Sequence, residues 1–494
     1  MTQAAQFWMV AVLFLPLIGA MAAFVLPRHA PVLGLGVVLA VVGAVAGLGM
    51  ELWRHGAASL ALAGWGAPLG IDLHADGLSA ALLAMTATIG LVVSLGALGT
   101  FGGRRPRSPD TARPRQYFWP LWLLLLTGLH GVYLGTDIFN LYVMIEVIAL
   151  AAVGLTVLGG GVAALRAGLE YMFASILGAL LLLMGVGFVY LQLGRLDFGG
   201  LAGAEPTGAL VAALALMLVG LALKTALFPL HFWLPAAHAN ATAPASALLS
   251  ALVVKAALFI ILRLLQHMPA PGEALMALMG AMGTGAILWG SVQALRADRL
   301  KLLVAWSTVT QIGLIFVALA QAGAPGLAQS WKAAAMLILA HGLAKGAMFL
   351  AAGRIRAEVG HDRIRDLDRS PIRPALAQMT FAFAAVSLIG LPPSLGFIGK
   401  WMVMEGALAA GNWHWVVITM TGTLFSLAYF SRVFAGFLRF DRVEPDVPGG
   451  LAEAHGRART DYAPLALAAL GVVLGLVAAP LLEFLEIGRA GAWP

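Results

Sequence analysis

Five ionisable residues stand where the surrounding chain is otherwise apolar: Lys224, Lys255, Lys345, Lys400 and Glu146. An ammonium at the centre of a bilayer costs roughly 2.5–3.5 kcal/mol on insertion scales. Four of them cost about 10–14 kcal/mol, comparable to the whole stability of an ordinary domain. Such groups persist only when paired or set beside water, and they mark ion or proton paths. Glu146 lies roughly 13–15 Å into its apolar segment and Lys224 lies at similar depth, so the two are natural partners. His341 and Lys345 are spaced to share one helix face, roughly 5–6 Å apart. Together these residues form a row of titratable groups crossing both halves of the chain. His231 and His238 follow Lys224 near the end of its span and are candidate proton-uptake groups.

Lysine suits such a path because its proton affinity is tunable. Burial lowers a lysine pKa by up to about 3–5 from near 10.4, and a nearby carboxylate raises it again. Moving one charge against about 150 mV takes roughly 3.5 kcal/mol. A change of about 2.5 in pKa supplies that much. Thr225, Ser250, Ser307 and Thr310 would hydrogen-bond water along the row, although small hydroxyls are also routine packing residues.

The elements that position these groups are membrane spans. The chain of 494 residues is 61% hydrophobic and only 11% charged, with a mean hydropathy of +0.91. A soluble domain carries about 25% charged residues, so the composition is that of an all-α polytopic membrane protein. Spans of about 20 apolar residues read off as about fourteen: 5–26, 31–53, 75–101, 116–135, 138–158, 165–193, 209–234, 243–266, 274–295, 301–321, 331–353, 375–406, 412–438 and 463–485. The stretch from Phe7 to Leu26 lacks a preceding basic region and reads as a retained helix. The net charge of +7 is small for this length and does not call for nucleic acid. Cysteine is absent, which excludes disulfides, thiolate zinc sites and iron–sulfur ligation. No metal or cofactor is expected, and any redox carriers would belong to another subunit.

The basic residues sort by side. Even-numbered gaps between spans hold only Arg54, Arg195, Arg263, Lys332 and Arg489. Odd-numbered gaps hold most of the rest, including Arg104, Arg105, Arg107, Arg113 and Arg115 in one loop and Arg354, Arg356, Arg363, Arg365, Arg369 and Arg373 in another. Excess Lys and Arg mark the cytoplasmic side, so both termini are expected on the other side, of a prokaryotic inner membrane. These loops read as topological signals that touch lipid headgroups. The thirteen tryptophans cluster near span ends, as interfacial anchors do. Glu170, early in the sixth span, is close enough to the edge to snorkel there.

Two spans carry proline near a buried lysine: Lys224 through Phe228-Pro229 to Pro235, and Gly390-Leu391-Pro392-Pro393 through Gly399-Lys400. Proline removes a helical hydrogen bond, which a membrane tolerates only where protein or a water cavity re-satisfies the freed groups. Paired interrupted spans point to inverted repeats and a transport site. The two lysines fall five spans apart, an odd number, so two copies would have opposite orientation and place them equivalently beside the breaks. The expected division is a three-helix segment at 1–115, a first repeat at 116–268 (helices 4–8), an inverted second repeat at 269–440 (helices 9–13) and a last helix within 441–494.

At these residues the chain resembles a family: the antiporter-like subunits shared by respiratory complex I, membrane-bound hydrogenases and Mrp cation/proton antiporters. The run from Asp137 to Glu146 is similar to the family's fifth-helix glutamate motif. Lys224 with Phe228-Pro229 to Pro235 resembles its broken seventh helix, and Ala243-Pro244 to Lys255 its eighth. His341-Gly-Leu-Ala-Lys345 and Gly390 to Lys400 resemble its eleventh and twelfth. Lysine at 400 is similar to the D-type member of Mrp antiporters and to some complex I members, where another member has glutamate. The resemblance implies a proton-translocating subunit, with no redox chemistry of its own, working beside other integral membrane subunits on protons and, in an antiporter, sodium. Two other readings stand beside it: the pump arm of a redox-driven complex, and an inert structural anchor of a redox enzyme.

Overall fold

The computed structural model describes residues 2–64, 70–101, 109–268, 272–321, 327–370, 372–438 and 462–489. Arg104, Arg105 and Arg107 lie outside the described residues, as do the expected boundaries at 269 and 441. The first part runs α1 (Gln3–Val25), α2 (Ala30–His55), β1 (Ala58–Ala61), β2 (Asp72–Ala75), α3 (Gly77–Phe101), α4 (Pro109–Leu134), α5 (Ile138–Val157), α6 (Gly161–Leu193) and α7 (Phe198–Ala202). The first broken span is α8 (Gly208–Lys224) and α9 (Trp233–Asn240), followed by α10 (Ala243–Leu248) and α11 (Val254–His267). Then come α12 (Glu273–Arg296), α13 (Leu300–Ala320), α14 (Leu327–Val359), α15 (Ala375–Ile389), α16 (Leu395–Ala409), α17 (Trp413–Leu438), α18 (Tyr462–Val473) and α19 (Ala478–Leu485).

Helices dominate because lipid offers no partner for backbone N–H and C=O groups, which a helix satisfies internally. Among the described residues, eleven are long and apolar enough to cross a membrane, with α10 and α11 counted as one through a π-helical turn at Leu249–Val253. The other three expected spans are interrupted: α8 with α9, α15 with α16, and α18 with α19. A count of fourteen therefore treats each interrupted stretch as one crossing. The last is no straight span, since α18 and α19 meet at 83°. A Cβ on Gly475 at that bend would sit 1.8 Å from the Pro393 carbonyl, so only glycine lets the bend pack onto the second helix break.

The breaks follow from local sequence. Pro229 has no N–H to continue α8. At the second, Gly390 closes α15 in the left-handed conformation (φ 82°), and Ser394 starts α16 by accepting a bond from Phe397 N. The bundle centre is made of α10–α11 and α14, whose most apolar windows are wholly buried. These helices carry Lys255, His341 and Lys345.

The β1–β2 hairpin departs from the all-helical expectation, being too short to show periodicity. Its antiparallel register sets Ser59 opposite His74, with Ser59 Oγ 2.7 Å from His74 Nδ1. Beside it, Arg263 is no loop charge: it is 1% exposed and donates to Asp76 Oδ1 at 2.6 Å and Ser79 Oγ at 3.2 Å. Burial pushes the Asp76 carboxyl up, but the Arg263 charge and hydrogen bond, with Ser79 N–H, hold it below its usual value. Burial pushes His74 down to about 4 against the raising effect of Asp76, with Arg263 lowering it further. The tryptophan expectation also needs correction, because Trp119, Trp122 and Trp233 are fully buried. Two of them are held by polar partners, Trp122 Nε1 donating to Ser94 Oγ and Trp233 Nε1 to Leu223 O.

Candidate functional site

Asp137 caps α5 by accepting from Asn140 N at 2.7 Å, and the helix then carries Glu146 to mid-span. Lys224 is the last residue of α8, and its Nζ donates to Glu146 Oε1 at 2.6 Å and to Ser175 Oγ of α6 at 3.0 Å. Just past the break, the Trp233 ring stacks on Tyr171 at 4.3 Å. A small cavity of about 10 Å³, room for roughly one water, adjoins Lys224 between Ser175, Tyr171 and Trp233.

Lys255 lies just past the π-helical turn. Lys255 Nζ donates to the carbonyl of Ser250, inside that turn, at 2.5 Å. The same nitrogen is 2.6 Å from His341 Nδ1 of α14. His341 and Lys345 share a helix face, but their partners differ: Lys345 reaches α13, donating to Val304 O at 2.8 Å and Ser307 Oγ at 2.5 Å. At the second break, Lys400 Nζ donates to Ile389 O at 2.7 Å, Leu388 O at 3.1 Å and Thr423 Oγ1 at 3.2 Å. Gln311 Nε2 adds a bond to Leu388 O at 3.0 Å. An ammonium thus caps the negative end of the half-helix α15. Carbonyls freed by the break are satisfied by protein, as a membrane interior demands.

Three expectations need correction. Lys224 precedes its break, whereas Lys400 sits on the half-helix after its break, so they are not equivalent residue by residue. His231 is buried, stacked on Phe228 and edge-on to Trp306, and His238 is completely buried, so neither ring opens onto solvent. Of the four hydroxyls, Ser307 joins the row and Ser250 Oγ meets Thr308 Oγ1 at 3.0 Å. Thr225 and Thr310 bond back into their own helices. Glu170 stands apart in an exposed pair with Arg166. Single polar residues in apolar helices, as Ser175, Gln311 and Thr423 are, carry no sequence signal of what lies opposite them. Lys301, second residue of α13, is 2% exposed, with Nζ on Ala241 O at 2.5 Å. Among the described residues no group of three or more His, Asp or Glu is placed to hold a metal.

These features define a class: a polytopic helical membrane protein with a buried lysine beside each of two broken spans and an interior file of ionisable groups. The chain belongs to the NADH:quinone oxidoreductase/Mrp antiporter transmembrane family, whose model matches residues 135–426. It is 34% identical over 441 residues to the N subunit of NADH-quinone oxidoreductase of Desulforudis audaxviator, covering 86% of this chain and 85% of that protein. It is 31% identical over 392 residues to the D subunit of the Na(+)/H(+) antiporter of Bacillus subtilis, covering 78% and 76%. In fold it is similar to a chain of the Mrp complex from Dietzia sp. DQ12-45-1b, with a TM-score of 0.87 at 24% identity over 99% of this chain and 98% of that one.

Proposed function

We propose that this chain is the proton-translocating subunit of a multi-subunit cation/proton antiporter of the Mrp D type, in a prokaryotic inner membrane with both termini away from the cytoplasm. The observation that carries this reading is the buried row itself. Of its four lysines, Lys224 alone has a carboxylate among the described partners, while Lys255, Lys345 and Lys400 rest on carbonyls, hydroxyls and one imidazole. An ammonium held by dipoles is poised to release its proton when a neighbouring charge approaches. The two broken spans, one in each half, support a repeat of residues 116–268 in residues 269–440 in the opposite orientation.

Partner subunits follow from Glu146. Its side chain is 26% exposed at mid-span, between the outward-facing Val143 and Leu150. A carboxylate facing hydrocarbon is expensive, so another integral membrane subunit covers that face. Proton flux in vesicles carrying the assembled complex tests the function. Lys345→Ala and Lys400→Ala should each abolish or strongly reduce flux with complex abundance retained, and wild-type flux in both would favour the inert anchor.

A second reading, the pump arm of a redox-driven complex, is favoured by the likeness to an NADH-quinone oxidoreductase protein. Purifying the complex separates the two: a sodium gradient drives proton movement in the first case, an electron donor in the second.

A further inference from the structure

Pro392 and Pro393 have no N–H, and a continuing helix would need those two groups to satisfy the carbonyls four residues earlier, Leu388 and Ile389. Both carbonyls instead face Lys400 Nζ, at 3.1 and 2.7 Å, and Thr423 Oγ1 of α17 completes the set at 3.2 Å. The three oxygens are held by more than the lysine. Gln311 Nε2 donates to Leu388 O at 3.0 Å. The Thr423 hydroxyl donates its hydrogen to Thr419 O at 3.0 Å, which leaves its lone pairs turned to the ammonium. Gly390 keeps the place clear, since a Cβ there would lie 3.4 Å from Nζ. The oxygens also stand at the negative end of the half-helix α15.

This seat differs from those of the other lysines in two ways. It adjoins the surface: Leu391 is 40% exposed and Pro392 and Pro393 are exposed, whereas Lys255 and Lys345 are wholly buried. Its ligand set is also neutral, two carbonyls and a hydroxyl, without the carboxylate that Lys224 has. The titratable groups on neighbouring helices are turned elsewhere. His341 and Lys345 of α14 meet Lys255 and Ser307, and Lys332 pairs with Glu486. Tyr429 of α17 meets Ser426, and Lys301 of α13 meets Ala241 O. Glu405 of α16 is met by Gln329, and α15 carries no titratable group. The remaining ones on these helices stand toward helix ends.

We propose that the second break is a sodium site, in which a sodium ion and the Lys400 ammonium compete for the oxygens of Leu388, Ile389 and Thr423. The site rests on the reading of this chain as a subunit of a sodium/proton antiporter, and sodium is there a substrate. Unwound carbonyls at the end of a half-helix are the groups with which transporters hold sodium. A divalent cation would ask for carboxylates, which the seat lacks. When sodium enters through the exposed break, Lys400 gives one proton to water and its neutral amine moves off the oxygens. When a proton returns, the ammonium takes the oxygens back and sodium leaves. One positive charge departs for each that arrives, so occupation by the two cations is mutually exclusive and the exchange is one for one.

Binding of radioactive sodium to the purified, assembled complex tests this across a range of pH. Competition with one proton should raise the apparent sodium affinity by about tenfold per pH unit while Lys400 is charged. Lys400→Met should still bind sodium but lose that slope. Thr423→Val should weaken binding by about tenfold, and Thr423→Ser should restore it. If Thr423→Val does not assemble, Lys400→Met decides alone. Sodium chloride in place of choline chloride should raise its thermal midpoint more than that of the parent at a pH where the parent lysine is charged, because the ligand binds only the folded state. No extra rise overturns the site. Unchanged affinity in Thr423→Val together with an unchanged slope in Lys400→Met also overturns it, and leaves proton translocation standing if Lys345→Ala is inactive. Wild-type flux in Lys345→Ala overturns the translocating function itself.

Discussion

The Lys224 ammonium and the Glu146 carboxylate meet at 2.6 Å, yet the lysine side chain is 6% exposed and the glutamate 26%. The pair straddles the outer surface of the subunit, with the cation inside and the anion at the rim. A group on a neighbouring subunit that packs against this face would meet Glu146 before Lys224.

Replacing one member of this pair should therefore hurt more than replacing both. Glu146→Gln leaves a buried ammonium without its counter-charge, and breaking buried pairs costs about 3–5 kcal/mol, less here because the carboxylate is partly exposed. The double variant Glu146→Gln, Lys224→Met should recover most of the thermal stability of the complex in detergent while proton flux stays lost. A double variant less stable than the single one would show that the pair is not the source of the loss.

Lys400 is seated by glycine. A Cβ at Gly390 would lie 2.7 Å from Lys400 Cδ, and a left-handed conformation costs a non-glycine residue roughly 1–2 kcal/mol. Gly390→Ala is expected to destabilise by about that amount and to reduce flux severalfold by displacing the ammonium from the Leu388 and Ile389 carbonyls. Flux measured beside the thermal midpoint decides it, and unchanged flux would remove the need for Lys400 at the break.

His74 makes stability pH-dependent. Burial holds it neutral down to about 4 in the folded protein, whereas an unfolded histidine titrates near 6.5. Between these values only the unfolded chain takes up the proton. The stabilisation is thus complete above about pH 6.5 and is lost as pH falls toward 4, on the order of 3 kcal/mol in all. Thermal midpoints across this range should fall less steeply for His74→Gln than for the parent, and parallel slopes would count against it.

The arginine-rich loop after α14 should divide in two. Arg365 approaches Asp298 at 3.8 Å with both side chains largely exposed, and such pairs contribute about 0–1 kcal/mol. Arg373 instead donates to the carbonyls of Leu367, Asp368 and Gly436, tying the loop to α17. Arg365→Ala should leave the midpoint and abundance unchanged, whereas Arg373→Ala should lower both. Equal effects of the two would mean that the loop acts through its charge alone.

What the sequence alone determined is what one helix determines for itself. Apolar length located the spans, proline and glycine located the first two of the three interruptions but not the bend between α18 and α19, and the cost of a charge in hydrocarbon picked out Glu146, Lys224, Lys255, His341, Lys345 and Lys400. Tertiary structure decided who meets whom. Helical spacing placed His341 and Lys345 on one face, but the rotation and height of α11 and α13 against α14 gave His341 to Lys255 and Lys345 to Ser307. The same packing brought Ser175 to Lys224, Thr423 to Lys400 and Gln311 to the Leu388 carbonyl that Lys400 also meets, and folded Arg263 inward onto Asp76. It also buried Lys301 near the start of α13. Periodicity along a chain records the faces of each helix, whereas a contact between distant helices depends on how those faces are turned and shifted against one another, which only the assembled bundle defines.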